Sequence, residues 1–126
     1  MELSETLRVL GDETRLRILN LLSRRELCLC VIKEVLGLMQ PNASKHISKL
    51  KALGVIECQK SSQWCFFRIR AGFREKYAAL YACLENEWAS GKRYAEDLER
   101  LENLIVTSDC CRELLAKKNK EKHRVA

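Results

Sequence analysis

Cysteine thiols are the side chains of this chain best suited to chemistry, and two of its seven cysteines, Cys28 and Cys30, lie two positions apart. On a regular helix, residues at this spacing point about 200° apart, so their thiolates could not share one ion. At the frayed start of a helix they could, and a helix N-terminus also favours the ionised thiolate. Because soft ligands select soft ions, the pair predicts a site for a thiophilic ion whose binding distorts the start of a helix. Two buried cysteines in a small core are the alternative.

A second pair of adjacent cysteines, Cys110 and Cys111, is predicted in the first turn of a short last helix, behind a turn and cap sequence. The pair could form a second thiol site, or one member could supply a third thiolate to Cys28 and Cys30; a tail pair without a role is the alternative. The chain has only two histidines, which argues against a zinc site built from nitrogen and oxygen ligands. Seven cysteines in an intracellular chain favour metal or redox chemistry over a disulfide framework.

The first thiol pair lies at the start of a predicted helix-turn-helix over residues 26–53. A first helix is expected over roughly Cys30 to Leu36, because Gly37 can take the left-handed conformation that ends a helix. The second helix is expected to begin at Pro41, whose missing N–H costs nothing at a first helical position. One side of this helix is apolar, and the other carries residue types that contact phosphates and base edges. Recognition of a DNA major groove is therefore predicted for Gln40, Asn42, Ser44, Lys45, His46 and Lys49.

A β-hairpin is predicted after that motif, because two stretches rich in β-branched or aromatic residues flank a short polar gap. With residues 61–62 as the loop, Lys60 pairs with Gln63 and Cys58 pairs with Cys65. The two cysteines then face each other on the core side of the hairpin, as small buried hydrophobic residues. A basic hairpin directly after a helix-turn-helix is predicted to be a wing, which would hold the DNA backbone through Lys60, Gln63 and Arg68.

The distribution of charge supports a polyanionic partner. The chain carries a net charge of +6; residues 40–72 alone carry +5 and the last ten residues +4, so the remainder is acidic. A basic middle on an otherwise acidic chain indicates double-stranded DNA as the partner.

Other classes of protein lack support in the sequence. No apolar run approaches the roughly 18 residues of a membrane span, and no phosphate loop, catalytic triad or Cys-x-x-Cys pattern points to an enzyme. A cytoplasmic protein without enzymatic activity, membrane partner or constitutive cofactor is therefore expected.

The C-terminal half is predicted to be helical. A long helix from about Phe73 carries a stripe of aromatic and leucine side chains, Gly91 interrupts it, and a second helix follows. This stripe is longer than one small winged domain should bury, so these helices are predicted to form a homodimer interface, which a palindromic operator requires; packing within the chain is the alternative. The predicted fold is mainly α (α+β), with a winged helix-turn-helix and dimerisation domain over residues 1–106 and a vicinal-cysteine segment with a basic tail over residues 107–126.

These motifs resemble the ArsR/SmtB family of winged helix-turn-helix metalloregulatory repressors over about residues 3–69. The resemblance rests on the segment Glu26-Leu-Cys-Leu-Cys30, and on the recognition helix and wing at Gln40-Pro41, Ser44, His46-Ile47, Leu53-Gly54, Trp64 and Phe66-Phe67-Arg68. It implies a homodimeric repressor that binds operator DNA without its effector and releases the DNA when the effector binds. The form ELCxC resembles the arsenite and antimonite branch, in which these thiolates bind the trivalent metalloid.

The chain departs from the family's pattern at three positions that bear on the site. Lys33 stands where arsenite-type sequences often have a third cysteine, which leaves the third ligand to Cys110 or Cys111. Val31 stands where an acidic residue is common, and Met39 replaces the usual serine before the recognition helix. The N-terminal cysteine of lead and cadmium sensors and the long-helix site of zinc sensors are missing, which favours As(III) and Sb(III) as effectors. A repressor of this fold that senses thiol oxidation, or cadmium, lead or zinc, is the alternative.

Overall fold

The computed structural model of the chain describes residues 2–61 and 64–107. Gln63, Cys110 and Cys111 therefore lie outside the described residues. Within them the elements follow in the order α1 (Leu3–Leu10), α2 (Glu13–Arg24), α3 (Leu29–Leu36), α4 (Gln40–Ala52), β1 (Ile56–Ser61), β2 (Trp64–Ile69), α5 (Ala71–Lys76), α6 (Ala78–Ser90) and α7 (Lys92–Thr107). This is the predicted winged helix-turn-helix, in which α3 and α4 form the helix-turn-helix and β1 and β2 form the antiparallel wing.

Local chemistry sets the bounds of the helix-turn-helix. Helix α3 ends at Gly37, whose φ of 66° is the left-handed conformation predicted for that position. Helix α4 begins at Gln40, one residue before the predicted start, and has Pro41 in its first turn. The apolar side of α4 is buried, as its helical spacing predicts, with exposures between 0% and 4% for Ala43, Ile47 and Leu50.

Helix α2 lies at the centre of the fold and contacts α1, α3, α4, α7 and β2. Asp12 caps its N-terminus by accepting a hydrogen bond of 3.0 Å from the backbone N–H of Arg15. The α2 side chains Ile18, Leu19 and Leu21 have no exposed surface. Both elements expected to meet DNA, the recognition helix and the wing, are thus positioned against the same buried helix.

The wing is paired in a different register from the predicted one. In the ladder, Lys60 lies opposite Cys65 and Cys58 lies opposite Phe67. The predicted pairs of Lys60 with Gln63 and of Cys58 with Cys65 are therefore wrong. Ser61 pairs with Trp64, so the turn comes one residue later in the chain than expected, and the two cysteines are diagonal neighbours rather than direct partners.

Two cross-strand pairs explain the observed register. Ile56 lies opposite Ile69, and both are buried in the core. Glu57 lies opposite Arg68, and its carboxylate accepts a hydrogen bond of 3.2 Å from the guanidinium. Matched apolar and opposite-charge pairs of this kind select one register over its neighbours. Phe66 and Phe67 point to opposite faces of β2, yet both are buried, because β2 also packs against α2 and α3.

The aromatic stripe of the C-terminal helices packs within the chain. The predicted long helix is divided at Tyr77, whose backbone is outside the helical range (φ −116°, ψ 47°). Phe73 and Trp88 are buried, and each contacts Tyr81 edge to face. The expectation that a single domain could not bury this stripe is wrong, because α7 folds back against α2, α3 and α6.

Some large apolar side chains remain at the surface of the described residues. Leu3 and Leu7, on one side of α1, are 53% and 47% exposed, and Met39 before α4 is 78% exposed. Among the described helices, none combines the length and the apolar character needed to cross a membrane.

Candidate thiol site and nucleic-acid interface

The structure places the sulfur atoms of Cys28 and Cys30 at 2.9 Å from each other. Cys28 is the N-cap residue of α3 and has an extended backbone (φ −81°, ψ 162°), whereas Cys30 lies in the first helical turn. This change of backbone conformation lets the two side chains meet, although a regular helix would hold them on opposite sides. Neither cysteine is in a disulfide.

The backbone before α3 attaches this thiol pair to the wing. Leu27 forms an antiparallel bridge with Phe67 of β2, in which the N–H of Leu27 donates over 3.2 Å and the N–H of Phe67 donates over 2.8 Å. Glu26 accepts a hydrogen bond of 3.4 Å from Arg68 on the same strand. A change in the backbone at Cys28 therefore acts on the wing through its immediate neighbours.

The two sulfurs lie close enough for a small separation to let both bind one soft ion. Sulfur ligands lie about 2.3 Å from an ion such as zinc, so two of them in a tetrahedral site are about 3.7 Å apart. The sulfurs of Cys28 and Cys30 would have to separate by about 0.8 Å to hold such an ion. Cys28 is only 4% exposed, whereas Cys30 is half-buried. Within residues 2–61 and 64–107, no group of three histidine, cysteine or acidic side chains is placed to hold a metal, so further ligands would come from elsewhere.

The predicted recognition residues of α4 are largely accessible, and Asn42, Lys45, His46 and Lys49 share one side of the helix. Gln40, Asn42, Lys45 and Lys49 are exposed, and Ser44 is half-buried. The sequence of α4 contains no acidic residue that would repel a phosphate. A cationic helix with exposed amide and hydroxyl groups has the chemistry to contact both the backbone and the base edges of DNA.

His46 is half-buried and bound to a residue of α2. Its Nδ1 lies 3.2 Å from Nη1 of Arg15, and because a guanidinium has donors only, Nδ1 accepts and the ring proton is on Nε2. Burial lowers the pKa of His46 below its usual value, and Arg15, Lys49 and Lys45 lower it further, whereas Asp12 opposes them. The neutral ring offers its Nε2–H as a donor. Sequence reasoning selected the histidine but missed Arg15, because nothing in the spacing links the two residues.

The two described wing contacts differ in their surroundings. Lys60 is exposed, whereas Arg68 donates hydrogen bonds to Glu57 (3.2 Å), Gln59 (2.9 Å) and Glu26 (3.4 Å). The hydrogen bond to Glu57 raises the pKa of Arg68 further above its usual value. Its charge is therefore balanced by neighbouring carboxylates, and its guanidinium links the wing to the segment before α3.

The two wing cysteines are joined to each other. Cys58 and Cys65 form a disulfide with their Cα atoms 5.8 Å apart. Both residues are half-buried, so the expectation of two buried, unlinked hydrophobic residues is wrong. Their diagonal placement follows from the observed register, in which Cys65 lies opposite Lys60. Cys83, by contrast, is an exposed thiol on α6.

The sequence matches the model of a protein family, described as bacterial regulatory protein, arsR family, over residues 12–57. The arsenic resistance transcriptional regulator ArsR2 of Pseudomonas putida is 30% identical over 108 residues, which cover 81% of this chain and 91% of the relative. ArsR1 of the same organism is 36% identical over 61 residues, or 48% of each chain. The cadmium resistance transcriptional regulatory protein CadC of Listeria innocua is 33% identical over 64 residues, which cover 50% of this chain and 54% of that one. The chain thus spans only about half the length of ArsR1 and CadC.

Solved structures share the fold. The homodimeric winged helix-turn-helix DNA-binding domain of Mb0332 from Mycobacterium bovis, described as a possible ArsR-family transcriptional regulator, has a TM-score of 0.57 at 25% identity, over 67% of this chain and 78% of that one. HlyU from Vibrio cholerae has a TM-score of 0.55 at 25% identity, and the match covers 64% of this chain and 88% of HlyU. Family and fold are those of DNA-binding transcriptional regulators, which are not enzymes. From the match to its family model, its similarity to ArsR2 along most of both chains and its winged helix-turn-helix fold, the chain belongs to the ArsR family of bacterial transcriptional regulators.

Proposed function

We propose that this protein is a homodimeric transcriptional repressor that binds operator DNA and releases it when As(III) or Sb(III) binds the thiolates of Cys28 and Cys30. The observation that carries the proposal is the 2.9 Å separation of the two sulfurs at the N-cap of α3. Cys110 or Cys111 completes a set of three thiolates. Binding to DNA implies that the protein works in the cytoplasm.

DNA is held by the accessible side of α4 and by the tip of the wing. We assign phosphate contacts to the exposed lysines of α4 and to Lys60 of the wing, and base-edge contacts to Asn42 and His46. The homodimeric state of the Mb0332 domain supports a two-fold arrangement on a palindromic operator. The exposed leucines of α1, Leu3 and Leu7, supply an apolar surface for the second copy.

Release follows from the position of the two sulfurs. Each thiol would replace one hydroxide of As(OH)3 or Sb(OH)3, so that a bond from sulfur to the metalloid forms, a metalloid–oxygen bond breaks, and the hydroxide leaves as water with the thiol proton. The two sulfurs would have to separate to hold the metalloid. Because Leu27 is bonded to Phe67 through both its backbone groups, this separation is transmitted to β2. It also displaces the first turn of α3, which packs against α4. The wing and the recognition helix therefore lose the relative position in which both contact DNA.

Cadmium is the rival effector, because one relative, CadC of Listeria innocua, is a cadmium resistance regulator. A divalent soft ion in a four-coordinate site needs more ligands than a trivalent metalloid. Within the described residues, no third histidine, cysteine or acidic side chain joins the two thiols in a cluster. A trivalent metalloid would need one thiolate beyond this pair, whereas a four-coordinate cation would need two further ligands.

Fluorescence anisotropy on the duplex upstream of the protein's own gene tests the proposal. We expect the reduced full-length chain to bind with strong salt dependence, because its cations release counterions from DNA. Near-stoichiometric arsenite should then release the duplex, whereas zinc and cadmium, titrated separately, should not. Absence of salt-dependent binding would remove DNA as the partner.

Matched cysteine variants locate the effector site. Cys28→Ser should bind the duplex with unchanged affinity and fail to release it with arsenite. Cys83→Ser removes an exposed thiol of α6, far along the chain from the thiol pair, and should release the duplex normally. Arsenite release that persists in both Cys28→Ser and Cys30→Ser would show that the effector binds elsewhere.

A further inference from the structure

The wing carries a second pair of sulfur atoms that the proposed function does not use. Cys58 of β1 and Cys65 of β2 are seven residues apart in sequence, and their Cα separation of 5.8 Å is one that a disulfide spans. Both are half-buried, so small solutes can reach them. Lys60, the exposed wing cation, lies between them in sequence and directly opposite Cys65 in the ladder. The link therefore closes the tip of the wing around a proposed DNA contact.

We propose that Cys58 and Cys65 are a redox site, in which a hydroperoxide oxidises the dithiol to the disulfide and cellular thiols reduce it again. The inference rests on the proposed function in one respect, namely that a protein working on cytoplasmic DNA is surrounded by reduced thiols. A disulfide in that compartment is typically a transient or sensing one. This site belongs to the wing and is separate from the thiol pair at the start of α3.

The surroundings of the two sulfurs assign their roles. Cys65 lies opposite the exposed Lys60, toward the tip of the hairpin, and is therefore assigned as the attacking sulfur. Cys58 lies opposite the buried ring of Phe67 and acts second. This order requires no group outside the wing except the oxidant.

The reaction balances in two steps. The Cys65 thiolate attacks one oxygen of the hydroperoxide, the O–O bond breaks, and the products are a sulfenic acid and an alcohol that takes up the proton Cys65 lost. The Cys58 thiol then attacks the Cys65 sulfur, so that the S–S bond forms, the S–O bond breaks and water leaves. Two electrons pass from the two sulfurs to the hydroperoxide.

Oxidation adds a covalent bond between the two strands of the wing. In the reduced protein only the ladder joins the ends of β1 and β2, so these ends lose more conformational freedom on binding DNA than they do once the disulfide has joined them. Preorganisation of this kind strengthens binding. We expect the oxidised protein to bind its operator about fivefold more tightly than the reduced protein.

Peptide mapping tests the chemistry without DNA. Trypsin cleaves after Lys51, Lys60 and Arg68, so Cys58 and Cys65 fall in different peptides, residues 52–60 and 61–68. The reduced full-length chain treated with equimolar hydrogen peroxide should yield these two peptides joined, and dithiothreitol should separate them. A chain that forms no disulfide, or that links other cysteines instead, would overturn the proposal.

Operator affinity tests the consequence. Wild type and the Cys83→Ser control should lose about fivefold in affinity on reduction, whereas Cys58→Ser and Cys65→Ser should bind like the reduced wild type under both conditions. Since either variant removes one member of the cysteine pair, the test needs only one of the two variants to fold. Equal affinity of oxidised and reduced wild type would overturn the regulatory role. If neither form binds DNA but the joined peptides appear, the proposed function fails and the redox site stands.

Discussion

Helix α2 holds two other helices through two arginines, and the two connections differ in kind. Arg17 donates hydrogen bonds of 2.8 and 2.9 Å to the carboxylate of Asp97 on α7. The side chain of Asp97 has no exposed surface. Arg15 donates one hydrogen bond of 3.2 Å to His46 on α4, at the half-buried edge of the fold. The first connection holds the C-terminal helix, and the second holds the recognition helix.

The buried connection is permanent, because both its groups stay charged. Burial raises the pKa of Asp97, but hydrogen bonds from Arg17 and Arg100 outweigh it and bring that pKa below its usual value. The hydrogen bond to Asp97 in turn raises the pKa of Arg17. The bond between Arg15 and His46, by contrast, requires a neutral ring and is lost when the ring gains a proton. In the release that we propose, the recognition helix moves, and its connection through His46 is the weaker of the two.

The largest expected effect on stability comes from breaking the buried connection between Arg17 and Asp97. Asp97→Ala should lower the free energy of unfolding by about 3–5 kcal/mol, because it leaves the guanidinium of Arg17 buried without a counter-charge. Urea unfolding followed by circular dichroism measures this change. Glu96→Ala removes an exposed carboxylate of the same helix and should cost less than about 0.5 kcal/mol. If the two variants lose the same stability, the buried pair does not hold α7.

Features that depend on near neighbours could be predicted from the sequence. Gly37 and Asp12 end and begin helices by rules that involve a few residues, and both do so in the structure. The spacing of Cys28 and Cys30 is informative for the same reason, because it is compatible with a shared ion only at a helix start. The buried side of α4 follows from its apolar period.

Features that depend on partners distant in sequence could not be predicted. Arg17 and Asp97 are 80 residues apart in sequence, and no periodic pattern marks such a pair. The wing register was missed because Leu27, which belongs to neither strand, bonds to Phe67 and helps position β2. The burial of the aromatic stripe was missed because it depends on where α7 packs.

A smaller effect should come from strengthening the start of the recognition helix. Met39 is the N-cap residue of α4, its side chain makes no capping hydrogen bond, and it is 78% exposed. Met39→Ser should raise the free energy of unfolding by about 1 kcal/mol, because a hydroxyl can accept from the N–H of Asn42. Urea unfolding measures the gain, and Met39→Ala serves as the control that lacks the hydroxyl. A gain of the same size in Met39→Ala would rule out capping as its cause.

The smallest expected effect tests whether the connection to α4 responds to pH. His46 has a folded-state pKa below its usual value, so the unfolded chain binds more protons at this residue once the pH falls below about 6.5. Stability from His46 is therefore present at neutral pH and is lost as the pH falls through that range. The hydrogen bond with Arg15 sets the scale of the loss at about 1 kcal/mol or less.

His46→Gln separates this contribution from every other titrating group. The amide oxygen of glutamine can still accept from Arg15 but does not titrate, so the variant should lose less stability between pH 7.5 and 5.5 than wild type does. Urea midpoints at the two pH values measure the difference, in which the acidic residues cancel because both proteins share them. Equal losses in the two proteins would mean that His46 does not respond to pH in the folded chain. The connection between α2 and α4 would then be as permanent as the one that Arg17 makes with α7.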